Sequence, residues 1–157
     1  MSTPSALLRC QTPVITLGSM SEEADRLAAV QRGTEAFNRR DAEGMIEELD
    51  AEIEWTDALL QVLLGGEEQT YHGHEGVRDL MRQQDQLFSE FSTEYSEVRQ
   101  RGDKIVALGI WRTRVRSSGV PMETPVATLI EFKGAKAIRL RTYLDPDEGL
   151  EAAGLAE

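Results

Sequence analysis

The sequence predicts an α+β fold on three observations. Apolar residues recur at helical spacing through the N-terminal half, alternating runs fill the chain from about residue 92, and tight-turn signals separate the last three runs. Helices followed by an antiparallel meander are the α+β order. The 157 residues amount to one domain with room for a real core.

The elements follow in order. Residues 1–20 hold two prolines, several Ser and Thr, and no clear period. They read as an arm, loose or laid on a partner surface, ahead of a single domain over 21–157. Ser19 or Ser21 caps a first helix, with acidic residues in its first turn and Leu27, Val30 and Phe37 along its stripe. Asp41 caps a short second helix carrying Met45, Ile46 and Leu49. Ile53 to Thr56 is a short strand. Residues 57–70 read as a loop whose centre, Ala58 to Leu64, is apolar enough for a lid or an interface. A third helix runs from about Glu75 to Glu90; Gln84 interrupts its stripe of Val77, Leu80, Met81, Leu87 and Phe88. Strands follow at about 92–100, 104–116, 121–132 and 136–144.

The turns predict a register. Ser118-Gly119 and Gly134-Ala135 each fit a two-residue hairpin loop, pairing Ser117 with Val120 and Lys133 with Lys136. Counting outward, Trp111 faces Val126 and Gly109 faces Thr128. In the next pair Thr128 faces Arg141, Val126 faces Tyr143, and Thr124 faces Asp145. Alternation then gives one nearly hydrocarbon face, with Val106, Leu108, Ile110, Ala127, Leu129, Ile138, Leu140 and Leu144. The other face carries Trp111, Thr113, Thr124, Val126, Thr128, Arg139, Arg141, Tyr143 and Asp145, a mixture suited either to a small-molecule pocket or to solvent.

Composition narrows the partners. With 17 Lys and Arg against 28 Asp and Glu, a net charge of −11 argues against nucleic acid and against an anionic membrane surface. Cys10 is the single cysteine, so neither an internal disulfide nor a thiolate metal cluster forms. No apolar run reaches bilayer length and the start lacks signal-peptide character, which points to a cytoplasmic protein.

Several short motifs recur in a recognisable order: Ala36-Phe37-Asn38-Arg39-Arg40-Asp41, Glu54-Trp55, and Tyr71-His72-Gly73-His74-Glu75-Gly76-Val77-Arg78. They continue with Gly109-Ile110-Trp111-Arg112, residues 118–124, Tyr143-Leu144-Asp145 and residues 152–155. From Glu23 to Leu155 the chain resembles the SnoaL-like, polyketide cyclase-like branch of the nuclear transport factor 2-like superfamily. The resemblance implies a curved antiparallel sheet wrapped on helices into a cone-shaped α+β barrel, with a cavity for a small apolar or polyketide-like molecule. It also implies homodimers packed through the outer sheet face, and no cofactor. Trp111, Tyr143 and Asp145 would then enter the cone. In polyketide cyclases of this branch the Asp ending the last strand is the acid/base group of an aldol closure, and Asp145 matches it by position. Relatives in the superfamily include ketosteroid isomerases and epoxide hydrolases.

Each candidate has a functional and a structural reading. Asp145 is a general acid/base in an apolar cone, or the cap of the helix that Pro146 begins. Arg141 pairs with Asp145, or lies at the surface. Trp55, Tyr71 and Trp111 are flat pocket walls or core, Thr128 shares their side, and Tyr143 adds a hydroxyl. Gln84, an amide in an apolar stripe, needs buried partners or faces the cavity. Tyr143, His74 or Gln84 can steady a developing oxyanion; His74 equally suits the start of a helix. Asp57, two residues after Trp55, is a second carboxylate at the rim or, as the loop position favours, a residue in water. His72 and His74 lack the further histidines of a metal site. The functional alternatives are a cofactor-independent isomerase, cyclase or hydrolase, and a non-catalytic small-molecule-binding or dimeric interaction module.

Overall fold

The computed structural model describes residues 17–155, so most of the expected arm lies outside the described residues. Helix α1 spans Leu17–Asn38, placing Ser19 and Ser21 inside the helix and not at its cap. Asp41 caps α2 (Ala42–Ile46) as expected, its carboxylate accepting from the Gly44 N–H at 3.0 Å. Strand β1 covers Leu49–Thr56.

The expected loop after it is a helix, α3 (Ala58–Leu64), bounded by two signals. Asp57 caps its start and Gly65, at φ 69°, ends it in the left-handed conformation that glycine adopts without a steric penalty. Leu59 and Leu60 explain the apolar run: they are buried, whereas Val62, Leu63 and Leu64 are exposed. Strand β2 (Thr70–His72) leads into α4 (Gly73–Leu87), which buries Val77, Leu80, Met81 and Gln84. The meander follows as β3 (Phe88–Arg101), β4 (Lys104–Val115), β5 (Pro121–Lys133) and β6 (Lys136–Tyr143). A last helix, α5 (Pro146–Ala152), closes the described chain. Among the described residues no helix is long and apolar enough to cross a membrane.

Six strands form one curved, unclosed sheet in the order β2-β1-β6-β5-β4-β3. All neighbours are antiparallel except β1 and β6, which run parallel. The concave side packs on α1, α2 and α4. Phe37, Trp55, Phe91 and Trp111 make a chain of tilted and edge-on ring contacts through that core, with centroids 5.0 to 6.2 Å apart.

Two departures from the expected register have opposite consequences. The β4–β5 loop is wider than two residues, closing between Val115 and Val120. Trp111 therefore faces Thr124, and Gly109 faces Val126. A slip of two leaves every side chain on its face. In the β5–β6 hairpin, Lys133 pairs with Lys136 as expected, but the register then shifts so that Glu131 faces Arg139 and Thr128 faces Thr142. A slip of one turns the strand over. Leu140 and Thr142 consequently join the concave side, and Arg139, Arg141 and Tyr143 move to the convex side.

That convex side is partly covered. α5 lies on it, and Val106, Ala127, Leu129 and Ala153 form a second small core joined by Tyr143 and Leu150. Gly149 allows the close approach, since a Cβ there would lie 2.6 Å from that of Ala127.

Candidate functional site

A cavity in the concave side has about 60 Å³ of room for solvent-sized atoms, bounded by α1, β1 and the central strands. Its wall is hydrocarbon and aromatic: Phe37, Met45, Trp55, Trp111, Ile130 and Leu140 among others. Polar groups are few. Thr93, Tyr95, Thr128 and Thr142 come from three strands, and the Tyr95 hydroxyl donates to Thr128 Oγ1 at 3.0 Å. Burial of that phenol pushes its pKa up to about 12, so it stays protonated. Thr142 is occupied structurally: its Oγ1 accepts from the Ala58 N–H at 2.9 Å. The one carboxylate in the wall, Glu48, is held by Arg32 through two contacts of 3.0 Å.

Two wall donors have no acceptor. Trp55 and Trp111 are each 2% exposed, and neither indole Nε1–H has a hydrogen-bonding partner among the described residues. A buried N–H without an acceptor is costly and rare.

The site residues expected from sequence divide into three groups. Trp55, Trp111 and Thr128 line the cone. Asp145, Tyr143 and Arg141 do not: they stand in an open convex groove beside Gln61, Glu68 and Glu148. The single-residue slip in β6 put them there. Asp145 is exposed, and its carboxylate caps α5 by accepting from the Asp147 N–H at 3.0 Å. Arg141 pairs with Glu68, not with Asp145, and stacks 5.4 Å from the Tyr143 ring.

Tyr71, Gln84 and His74 make the third group. Tyr71 borders a separate cavity of about 200 Å³ between α3 and the loop before β2, its hydroxyl 2.5 Å from Gln83 Oε1. His74 Nε2 lies 3.1 Å from the Leu49 carbonyl, a structural contact at the start of α4. His72 is exposed, its ring 4.0 Å from Glu54.

Gln84 is fully buried and its partners were not legible in sequence. Its Nε2 donates to Asp57 at 2.7 Å, and its Oε1 accepts from Arg40 at 2.9 Å. Asp57 is therefore no loop residue in water: it is 3% exposed and also accepts from the Leu60 N–H at 3.1 Å. Burial pushes its carboxyl pKa up, against the opposing pull of the Leu60 and Gln84 donors. An Asp immediately before an apolar run that ends in Gly is a readable cap signal. Arg40 stands in the Ala36 to Asp41 motif, but nothing in the sequence assigns it a buried partner.

Known structures share this architecture. An NTF2-like protein of unknown function from Burkholderia pseudomallei superposes with a TM-score of 0.70 at 24% identity, over 81% of this chain and 95% of that one. TerC, crystallised with polyporic acid, gives 0.69 at 20% identity over 81% and 96%. A putative SnoaL-like polyketide cyclase from a Jannaschia species gives 0.65 at 14% over 76% and 85%. No curated protein matches the sequence. The SnoaL-like domain model matches residues 30–140, most of the described fold, and the chain belongs to that family.

Proposed function

We propose that this protein is a small-molecule-binding member of its family, whose cone takes a compact apolar molecule bearing one hydrogen-bond acceptor such as a ketone. The unpartnered indole donors of Trp55 and Trp111, in a wall with few other polar groups, carry this reading. A carbonyl oxygen there would satisfy donors left open among the described residues, each bond contributing about 1 kcal/mol. The room of about 60 Å³ is less than half of the roughly 150 Å³ that takes up benzene in an engineered cavity, so even a six-membered ring requires the wall to give. A polyketide-sized ligand would require the wall to open.

Binding is preferred to catalysis because the wall offers no free acid or base. Glu48 is tied to Arg32, and the carboxylate of Asp145 is on the other side of the sheet. A structural neighbour crystallised with polyporic acid is consistent with ligand capacity in this fold.

The chain has two tryptophans, so its indole N–H resonances are two and assignable by Trp55→Phe and Trp111→Phe. Titration with cyclohexanone is expected to move at least one of them downfield, while methylcyclohexane gives no such hydrogen-bond shift. A ketone that moves neither resonance at saturating concentration would refute the reading.

A further inference from the structure

We propose that Arg40 is a positioning residue which, by holding the carbonyl end of Gln84, turns that amide's N–H toward Asp57 and keeps the buried carboxylate a proton acceptor. The inference does not depend on what occupies the cone.

Its first support is chemical direction. A guanidinium can only donate. With Arg40 Nη2 2.9 Å from one end of the Gln84 amide, that end must be the oxygen, and the NH₂ must face Asp57 Oδ2 at 2.7 Å. The opposite orientation would set donor against donor at Arg40 and oxygen against oxygen at Asp57. It would suit only a protonated Asp57, whose O–H could then donate to Gln84. Arg40 thus selects between two hydrogen-bonded states of one buried pair.

The second support is the effort the fold makes to hold Arg40 in place. Arg40 is the one non-glycine among the described residues with positive φ, at 59°. It occupies the left-handed position ending α1, where the Arg40 and Asp41 N–H groups donate to Phe37 and Ala36 carbonyls, both at 2.9 Å. Glycine fits there without strain. The arginine in its place sends its guanidinium inward, 4.6 Å from the Phe37 ring centre and 5.3 Å from that of Phe91. Asp85 at 2.8 Å and the Met81 carbonyl at 3.3 Å complete the clamp.

The consequence reaches a second cavity. Asp57 lines the space of about 200 Å³ beneath α3 and also caps that helix through Leu60. Arg40 therefore links the end of α1, through α4, to a carboxylate at the root of α3. The other titratable groups around it are Tyr71 on β2, Glu67 and Glu68 of the cavity wall, and Asp85 beyond the guanidinium.

The test is a carbon-13 titration of the Asp57 carboxyl in the full chain, the resonance being identified by its loss in Asp57→Asn. Arg40→Met and Gln84→Met are each expected to raise its proton affinity about tenfold or more. In the Gln84→Met background, Arg40→Met is expected to add less than about a further threefold, because the relay is already cut. Arg40→Gln keeps a polar side chain and relaxes the choice of amide orientation, so it falls between wild type and Arg40→Met; it also serves if Arg40→Met fails to fold. An unchanged proton affinity in the Arg40 variants would overturn the proposal. Full additivity of the two substitutions would overturn it as well, by showing that Arg40 acts through space on Asp57 as a bare charge.

Discussion

Gly109→Ala probes the geometry that carries Tyr95 to the cavity. Gly109 sits in β4 opposite Tyr95, where β3 shifts register between Tyr95 and Glu97. An added Cβ would stand 2.1 Å from the Glu94 carbonyl oxygen and 2.7 Å from Tyr95 Cα, against a floor of 3.0 Å for real Cβ contacts. The neighbouring strand must therefore retreat by at least 0.9 Å, and the atoms in the way are backbone, which no rotamer change can move. Overpacking costs about 1–3 kcal/mol, and the rigid neighbour puts this case at the upper end. About 3 kcal/mol lowers the melting temperature of a domain this size by roughly 6–12 °C. Equilibrium urea unfolding and a thermal melt measure both quantities. Retreat of β3 also draws the Tyr95 hydroxyl from Thr128, so the Trp111 indole resonance should shift in the folded variant. A variant melting within about 2 °C of wild type would refute the close β3–β4 approach and the placement of Tyr95 built on it.

Two further outcomes separate Asp145 from Asp57. Asp145→Ala removes the acceptor for the Asp147 N–H and is expected to lower stability by about 1 kcal/mol, with Asp145→Asn nearly neutral; both should keep the wild-type cyclohexanone response, and loss of that response would return Asp145 to the pocket. Asp57 gives a pH signature: its folded pKa lies above the ordinary 3.8 because of burial. The fold then holds this proton more tightly than the unfolded chain does. Its contribution is fully present below 3.8 and declines as pH rises through the raised folded value. The stability of wild type relative to Asp57→Asn should therefore fall with increasing pH above 3.8 in urea-unfolding series, and a difference that rises with pH over that interval would contradict the burial of Asp57.

Much of the fold was legible because it depends on local rules. The stripe on α4 appears in sequence as Val77, Leu80 and Met81, and Gln84 stood out within it as a buried amide needing partners. The faces of β4 and β5 were readable even though their loop is wider than its turn signal predicts, since a slip of two residues preserves parity. α3 was hidden by its length: seven residues are too few for a period to declare itself, although Asp57 and Gly65 bracket it with cap chemistry.

The candidate site was less legible because it turns on non-local events. One shift between Glu131 and Phe132 decides that Leu140 and Thr142 enter the cone while Arg141 and Tyr143 leave it. No residue between Lys133 and Arg139 announces that shift; β6 is turned by parallel pairing with β1, which sets Trp55 beside Leu140. Once β6 is turned, Leu140 fills the core and Tyr143 packs under α5. The polar end of the strand then emerges on the convex side, where Asp145 is free to begin α5. The same physics explains why the burial of Asp57 is not legible in sequence. A carboxylate after a strand is ordinarily solvated, and only the combination of a left-handed arginine, a buried glutamine and an open helix N-terminus makes an interior position tolerable. Three elements supply those groups, the glutamine from 27 positions away along the chain, and the burial follows from their meeting in the fold.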